Sequence, residues 1–114
     1  IGIKMKTVYF TGSGYSIDFS AANIFCIYAN ATYNVSLPSA SSVASMFGYS
    51  SLPSDFAYVF TLFYSYNWGG HVNIMNVRNP NGGTTNYGME RGDSLTLLCC
   101  NYPSFHYQAL NYNS

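Results

Sequence analysis

Apolar and polar residues alternate with a period of two along most of this chain. Tyr15, Ile17 and Phe19 alternate with Ser16, Asp18 and Ser20, and Tyr33, Val35 and Leu37 alternate with Asn34 and Ser36. The longest row is Phe56, Tyr58, Phe60, Leu62, Tyr64 and Tyr66, with Ala57, Val59, Thr61, Phe63 and Ser65 on its other side. Val72 and Ile74 flank Asn73. Leu95, Leu97 and Cys99 alternate with Ser94, Thr96 and Leu98, and Phe105, Tyr107 and Ala109 alternate with His106 and Gln108. Successive side chains of a strand point to opposite faces, so this pattern predicts half-buried β-strands. Turn-forming clusters at 11–14, 67–70, 79–83, 91–93 and 101–104 separate them. The spacing predicts an all-β fold, an antiparallel β-sandwich or jelly roll, forming a single domain over residues 1–114.

One stretch breaks the period. After Leu37 and Pro38, Val43, Met46 and Phe47 fall at helical spacing. Ser39 is suited to cap the start of a helix and Gly48 to close its end. One short helix is expected near 39–47, covering an open end of the sandwich. The segment 79–85 is the most polar and glycine-rich, and reads as an exposed loop.

Composition narrows the function classes. With 114 residues and 48% hydrophobic content the chain can bury one real core, which excludes disorder. No apolar run approaches the roughly 20 residues of a membrane-spanning helix, so no membrane insertion is expected. Only 7% of the residues are charged, against about a quarter in an ordinary soluble domain. Lys4, Lys6, Arg78 and Arg91 balance Asp18, Asp55, Glu90 and Asp93. Without a basic cluster there is no basis for nucleic-acid binding. Twelve tyrosines, eight phenylalanines and one tryptophan remain. A surface poor in charge but rich in Tyr, Asn and Ser suits packing against protein or holding glycans. Zero net charge also gives little protection against association, so a defined oligomer is expected. The chain starts at Ile1 without an initiator Met or signal peptide, and reads as a piece cut from something longer on its N-terminal side.

Cys26, Cys99 and Cys100 are odd in number and lack Cys-x-x-Cys spacing. Cys99 and Cys100 point to opposite faces of a strand, so a bond between them would be strained. The simplest reading is three buried free thiols made in a reducing compartment. A bridge from Cys26 to Cys99 or Cys100 is the alternative.

Candidate binding residues fall in two places. Tyr64, Tyr66, Asn67 and Trp68 end the long aromatic row and enter a Gly-Gly turn. Flat aromatic faces and amides are what carbohydrate and protein recognition use, and subunit packing uses them equally. Arg91, Gly92 and Asp93 form the tripeptide that integrins read; the structural reading is a glycine turn with Asp93 capping its own backbone. Asn30 and Asn34 begin N-glycosylation sequons and, four apart in a strand, would share a face. Catalytic signals are weak. Glu90 and Asp93 read as a solvated pair around Arg91, His71 and His106 as separate packing residues, and Ser13 lacks a nucleophile-elbow pattern. No metal site, cofactor or enzymatic activity is expected.

The segments 37–48 (Leu37, Pro38, Ser39 and Ala40, then Val43, Ala44 and Gly48), 56–63, 72–77, 91–98 and 105–110 follow one another in an order that resembles the C-terminal heads of viral and phage fibres. Such heads show a Leu-Pro-x-Ala helical turn and a Gly-Asp-Ser-hydrophobic-Thr-Leu lead into a penultimate strand, here Gly92 to Leu97. Phe105, His106 and Tyr107 stand where such heads often carry Trp. Small adenovirus-type heads and phage receptor-binding tips are similar in size. The resemblance implies a homotrimer at the tip of a virion fibre, made in the host cytosol or nucleus and attaching to a host-cell receptor, protein or glycan. It also makes residues 1–6 the junction to a shaft. The alternative is a monomeric lectin-like carbohydrate-binding module.

Overall fold

The computed structural model describes residues 4–11, 15–66 and 68–114; Asn67, Ser13 and the first three residues of the expected shaft junction lie outside the described residues. Among the described residues eight strands and one short helix follow in the order β1 Met5–Phe10, β2 Ile24–Ala29, β3 Thr32–Val35, α1 Ala40–Met46, β4 Ala57–Tyr64, β5 His71–Arg78, β6 Thr84–Met89, β7 Ser94–Cys100 and β8 His106–Asn113. The all-β class and the single short helix are as expected.

The strands form one curled sheet in the order β1-β2-β4-β7-β8-β5-β3, with β6 on the other side of β5. Its directions correct the antiparallel expectation. β4·β7, β7·β8 and β5·β6 are antiparallel, whereas β1·β2, β2·β4, β3·β5 and β5·β8 are parallel. Hairpin turns join β5 to β6 and β7 to β8. Long connections return the chain to the same end before β2 and β4, and a parallel pair requires such a crossover. The expected strand at 15–20 is absent although its alternation persists, with Ile17 and Phe19 buried. Asp18 breaks it: its carboxylate accepts the Ser20 N–H at 2.9 Å and its carbonyl accepts the Ala21 N–H at 3.1 Å, closing a turn.

Inside the curl Phe60 sits among aromatic rings, 4.6 Å from Phe19, 6.2 Å from Phe25 and 6.1 Å from Tyr107 between centroids. Around them pack Ile27, Leu62, Ile74, Met89, Leu95 and Leu97, all fully buried. The helix is set by its ends. The Ser39 hydroxyl accepts the Ser42 N–H. At the other end the Gly48 N–H donates to Ser45 and the Tyr49 N–H to Ala44, a Schellman closure that places Gly48 at φ +79°. Val43 is thereby seated in the core, and the Tyr107 hydroxyl donates to the Pro38 carbonyl at 2.6 Å just before the helix.

All three cysteines are free. In the register Cys26 lies opposite Phe63 and Cys99 opposite Tyr58 on the same strand β4. Those positions are about 17 Å apart at roughly 3.3 Å per residue, which rules out the bridge to Cys99. Cys100 lies one residue further away. Cys26 and Cys99 are buried, while Cys100 is only half-buried.

Burial raises several acidic groups, Tyr58, Cys99 and Tyr107 among them. It pushes the Tyr58 hydroxyl and the Cys99 thiol up to about 12, with Asp18 adding to the effect at Tyr58, and it pushes the Tyr107 hydroxyl upward as well. In the unfolded chain these groups ionise at their ordinary values of 10.0, 9.0 and 10.0. The unfolded state therefore loses protons first as pH rises, so the stabilisation is complete below about pH 9 and drains away towards pH 12. Melting temperature followed by circular dichroism is expected to be flat near neutral pH and to fall steadily above that point. Tyr107→Phe should make the fall shallower; an unchanged slope would contradict this assignment.

The outer side of the sheet carries no charge across four strands. β2, β4 and β7 contain no charged residue. Lys6, the charged residue of β1, is in phase with the core-facing Val8 and Phe10. The outward positions instead hold Met5 and Thr7 on β1, Ile24 on β2, Val59, Thr61 and Phe63 on β4, and Ser94, Thr96 and Leu98 on β7. Met5 is 65% and Val59 50% exposed.

Candidate recognition site

The two candidate segments meet in space. Tyr64 ends β4, and the turn between β6 and β7 is fastened to it: the Gly92 N–H donates to the Tyr64 carbonyl and the Tyr64 N–H to the Asp93 carbonyl, both at 2.9 Å. Gly92 adopts φ +90°, a conformation that side-chain-bearing residues avoid, and a Cβ there would also overlap the Tyr66 hydroxyl.

The structure reassigns two of these residues. Tyr64 is fully buried, with its hydroxyl accepting the Ala29 N–H at 3.2 Å and donating to the Ala29 carbonyl at 3.1 Å. It clamps the end of β2 and is out of a ligand's reach. Asp93 is 7% exposed; its carboxylate accepts the Glu90 N–H at 2.9 Å, and its own N–H donates to the Glu90 carbonyl at 3.0 Å. This is the backbone-capping role, and it withdraws the carboxylate that an integrin-type tripeptide must present.

Tyr66 remains highly exposed and Arg91 exposed. Trp68 is half-buried in an aromatic cluster with ring centroids 5.4 Å from Tyr9 and 5.9 Å from Tyr28. Tyr9 and Tyr28 are partners across β1 and β2 and stack at 5.2 Å with 19° between planes. Sequence reasoning missed both tyrosines. Tyr9 lies next to the segment read as a shaft junction, and Tyr28 sits in a continuous apolar run with no alternation. The one available signal was the phase of β1, where Val8 and Phe10 point in and Tyr9 therefore points out.

Near this platform opens a polar cleft of about 280 Å³ lined by Gly69, Gly70, Glu90, Arg91 and Asp93. His71 Nδ1 stands 3.9 Å from the Glu90 carboxylate at its side. Beyond it His71 Nε2 meets the Asn73 side-chain oxygen at 2.8 Å, and the Asn73 amide donates to the Asn34 side-chain oxygen at 2.9 Å. Stacking surfaces beside fixed donors and acceptors are what sugar rings require. Asn34 is exposed on β3, but Asn30 lies in the turn before it and accepts the Tyr33 hydroxyl. The two sequons therefore do not share one strand face. Among the described residues no three His, Cys, Asp or Glu side chains are grouped as metal ligands, and no helix is long and apolar enough to cross a membrane. Comparison with protein-family models, with curated proteins and with solved structures finds no match.

Proposed function

We propose that the chain is a non-enzymatic attachment module that works as a homotrimer, in the manner of the viral fibre heads its motifs resemble. The observation that carries this reading is the charge-free outer face of β1, β2, β4 and β7. A monomer would leave Met5 and Val59 in water, on a face otherwise lined by neutral Thr, Ser, Ile, Phe and Leu side chains, which suits packing against protein. Copies of the chain are the partner this face suits, because it presents no charge for a complementary one to meet. Receptor contact then falls to Tyr66, Trp68 and Arg91 with Tyr9 and Tyr28, and the module would sit at the tip of a virion fibre. Cross-linking through Lys4 and Lys6 at micromolar protein is expected to stop at a three-chain species. A single-chain band under those conditions would sink the reading.

A second reading, a monomeric carbohydrate-binding module, is favoured by the stacked Tyr9–Tyr28 pair and Trp68 beside the cleft. Under it Trp68→Ala weakens retention on a glycan array about tenfold, the equivalent of ~1.4 kcal/mol of stacking, while the far-ultraviolet spectrum stays unchanged. Equal retention of the variant would contradict it.

A further inference from the structure

Four aromatic rings gather where α1 meets the start of β4. Phe47 caps the C-terminal end of α1, and Tyr49 follows the Gly48 closure, its N–H held by the Ala44 carbonyl at 2.8 Å. The Phe56 N–H donates to the Pro53 carbonyl at 3.1 Å, a turn that leads Phe56 and then Tyr58 to the same end of the fold. Between them lies a cavity of about 430 Å³ lined by Phe47, Tyr49, Pro53, Asp55, Phe56 and Tyr58. Its rings do not stack. Phe47 lies 5.5 Å from Phe56 and 5.4 Å from Tyr58 between centroids, with planes tilted by 54° and 56°. Tyr49 stands 6.3 Å from Phe56 at 84°. Rings inclined in this way wall a corner. It lies at the opposite end of β4 from Tyr64 and shares no residue with the recognition site described above.

The charge of the lining comes from Asp55, which is exposed and, among the described residues, has no hydrogen bond or ion pair. Other polar atoms of the corner are already engaged. The Pro53 carbonyl also accepts from the Asn101 side-chain amide at 3.2 Å, the Phe56 carbonyl accepts the Asn101 N–H at 3.4 Å, and the Tyr58 hydroxyl donates to the Ala22 carbonyl. An uncharged apolar guest would leave the carboxylate without a counter-charge. A primary ammonium brings three N–H donors and would find few free acceptors besides that carboxylate. A quaternary ammonium brings a positive charge and no N–H, and aromatic faces attract such a cation within about 6 Å of their centroids. We propose that this cavity binds a quaternary ammonium group carried on a small molecule with a neutral tail, choline being the simplest. A phosphate beside the ammonium would meet the Asp55 carboxylate, so the free amine is favoured over a phosphocholine head group.

The probe is choline, titrated against the folded protein and followed by its methyl proton resonance. Ring faces shield a cation bound against them, so a saturable upfield shift is expected. The uncharged isostere, in which a tert-butyl group replaces the trimethylammonium, has the same shape and should bind about tenfold more weakly. Phosphocholine should also bind more weakly than choline. Asp55→Asn removes the counter-charge and Tyr49→Ala removes one wall. Both side chains are exposed, so the fold should survive either change. Each variant is expected to weaken choline binding by about fivefold. No saturable shift, an isostere or phosphocholine that binds as tightly as choline, or choline binding unchanged in both variants would each overturn the proposal.

Discussion

Gly70→Ala is expected to be the most damaging single methyl group that can be added to this protein. Gly70 stands just before β5, where the end of β2 and the start of β3 converge. Its N–H donates to the Ala29 carbonyl and the next N–H, of His71, to the Ala31 carbonyl, both at 3.0 Å. A Cβ at Gly70 would overlap both of those carbonyl oxygens and the carbonyl carbon of Ala29. These are backbone atoms, and Ala29 is also gripped by the Tyr64 hydroxyl, so no flexible side chain can swing away. Overpacking of this kind costs about 3 kcal/mol when the surroundings cannot yield. For a domain of this size each kcal/mol lowers the melting temperature by about 4–8 °C, so a fall of roughly 12 °C or more is expected. Gly48→Ala is the control. Nothing lies within 4 Å of its added methyl, and only the backbone at φ +79° is strained. That strain costs about 1–2 kcal/mol. Thermal melts in which both variants lose the same small amount would contradict the convergence of three strands at Gly70.

The second large effect concerns association. Val59 is half-exposed on the charge-free face, opposite Leu98 of β7, so Val59→Asp should leave the monomer's stability within about 0.5 kcal/mol. Buried against another copy, the same carboxylate would lose its water without gaining a partner, a penalty of several kcal/mol. Self-association is therefore expected to weaken by about a hundredfold or more, corresponding to ~2.7 kcal/mol. Sedimentation velocity over a dilution series reads this directly. Tyr102→Asp, in the exposed turn between β7 and β8, should leave association untouched. Equal behaviour of the two variants would remove the face from the account.

The parts of the fold that were legible in the sequence are those where one strand face meets the core and the other meets something polar. β4 and β7 follow their alternation residue by residue, and α1 follows from Ser39, Val43 and Gly48. β2 did not alternate, because Phe25 and Ile27 point into the core while Ile24 lies on the uncharged outer face and Tyr28 stacks with Tyr9 beyond it. β6 was hidden in a run that begins Thr84-Thr85-Asn86 and looks like loop; its pairing with β5 makes it a strand. Strand direction was beyond reach, since it depends on where long connections travel. Of the site, Trp68 and Arg91 were visible as residue types suited to recognition. Their convergence was not, because it is made by backbone bonds between Tyr64 and the 92–93 turn. Asp93 illustrates the opposite error: a short motif suggested presentation, and local hydrogen bonding consumed the group. That Cys100 and His106 pair across the 101–105 turn was readable only with the hairpin register in hand.

We propose that copies of the same chain close the uncharged sheet face. Sedimentation equilibrium of the purified protein at micromolar concentration tests it most directly. A mass three times the 12.6 kDa of the chain, steady across the concentration range, is expected. A stable single-chain mass would contradict it.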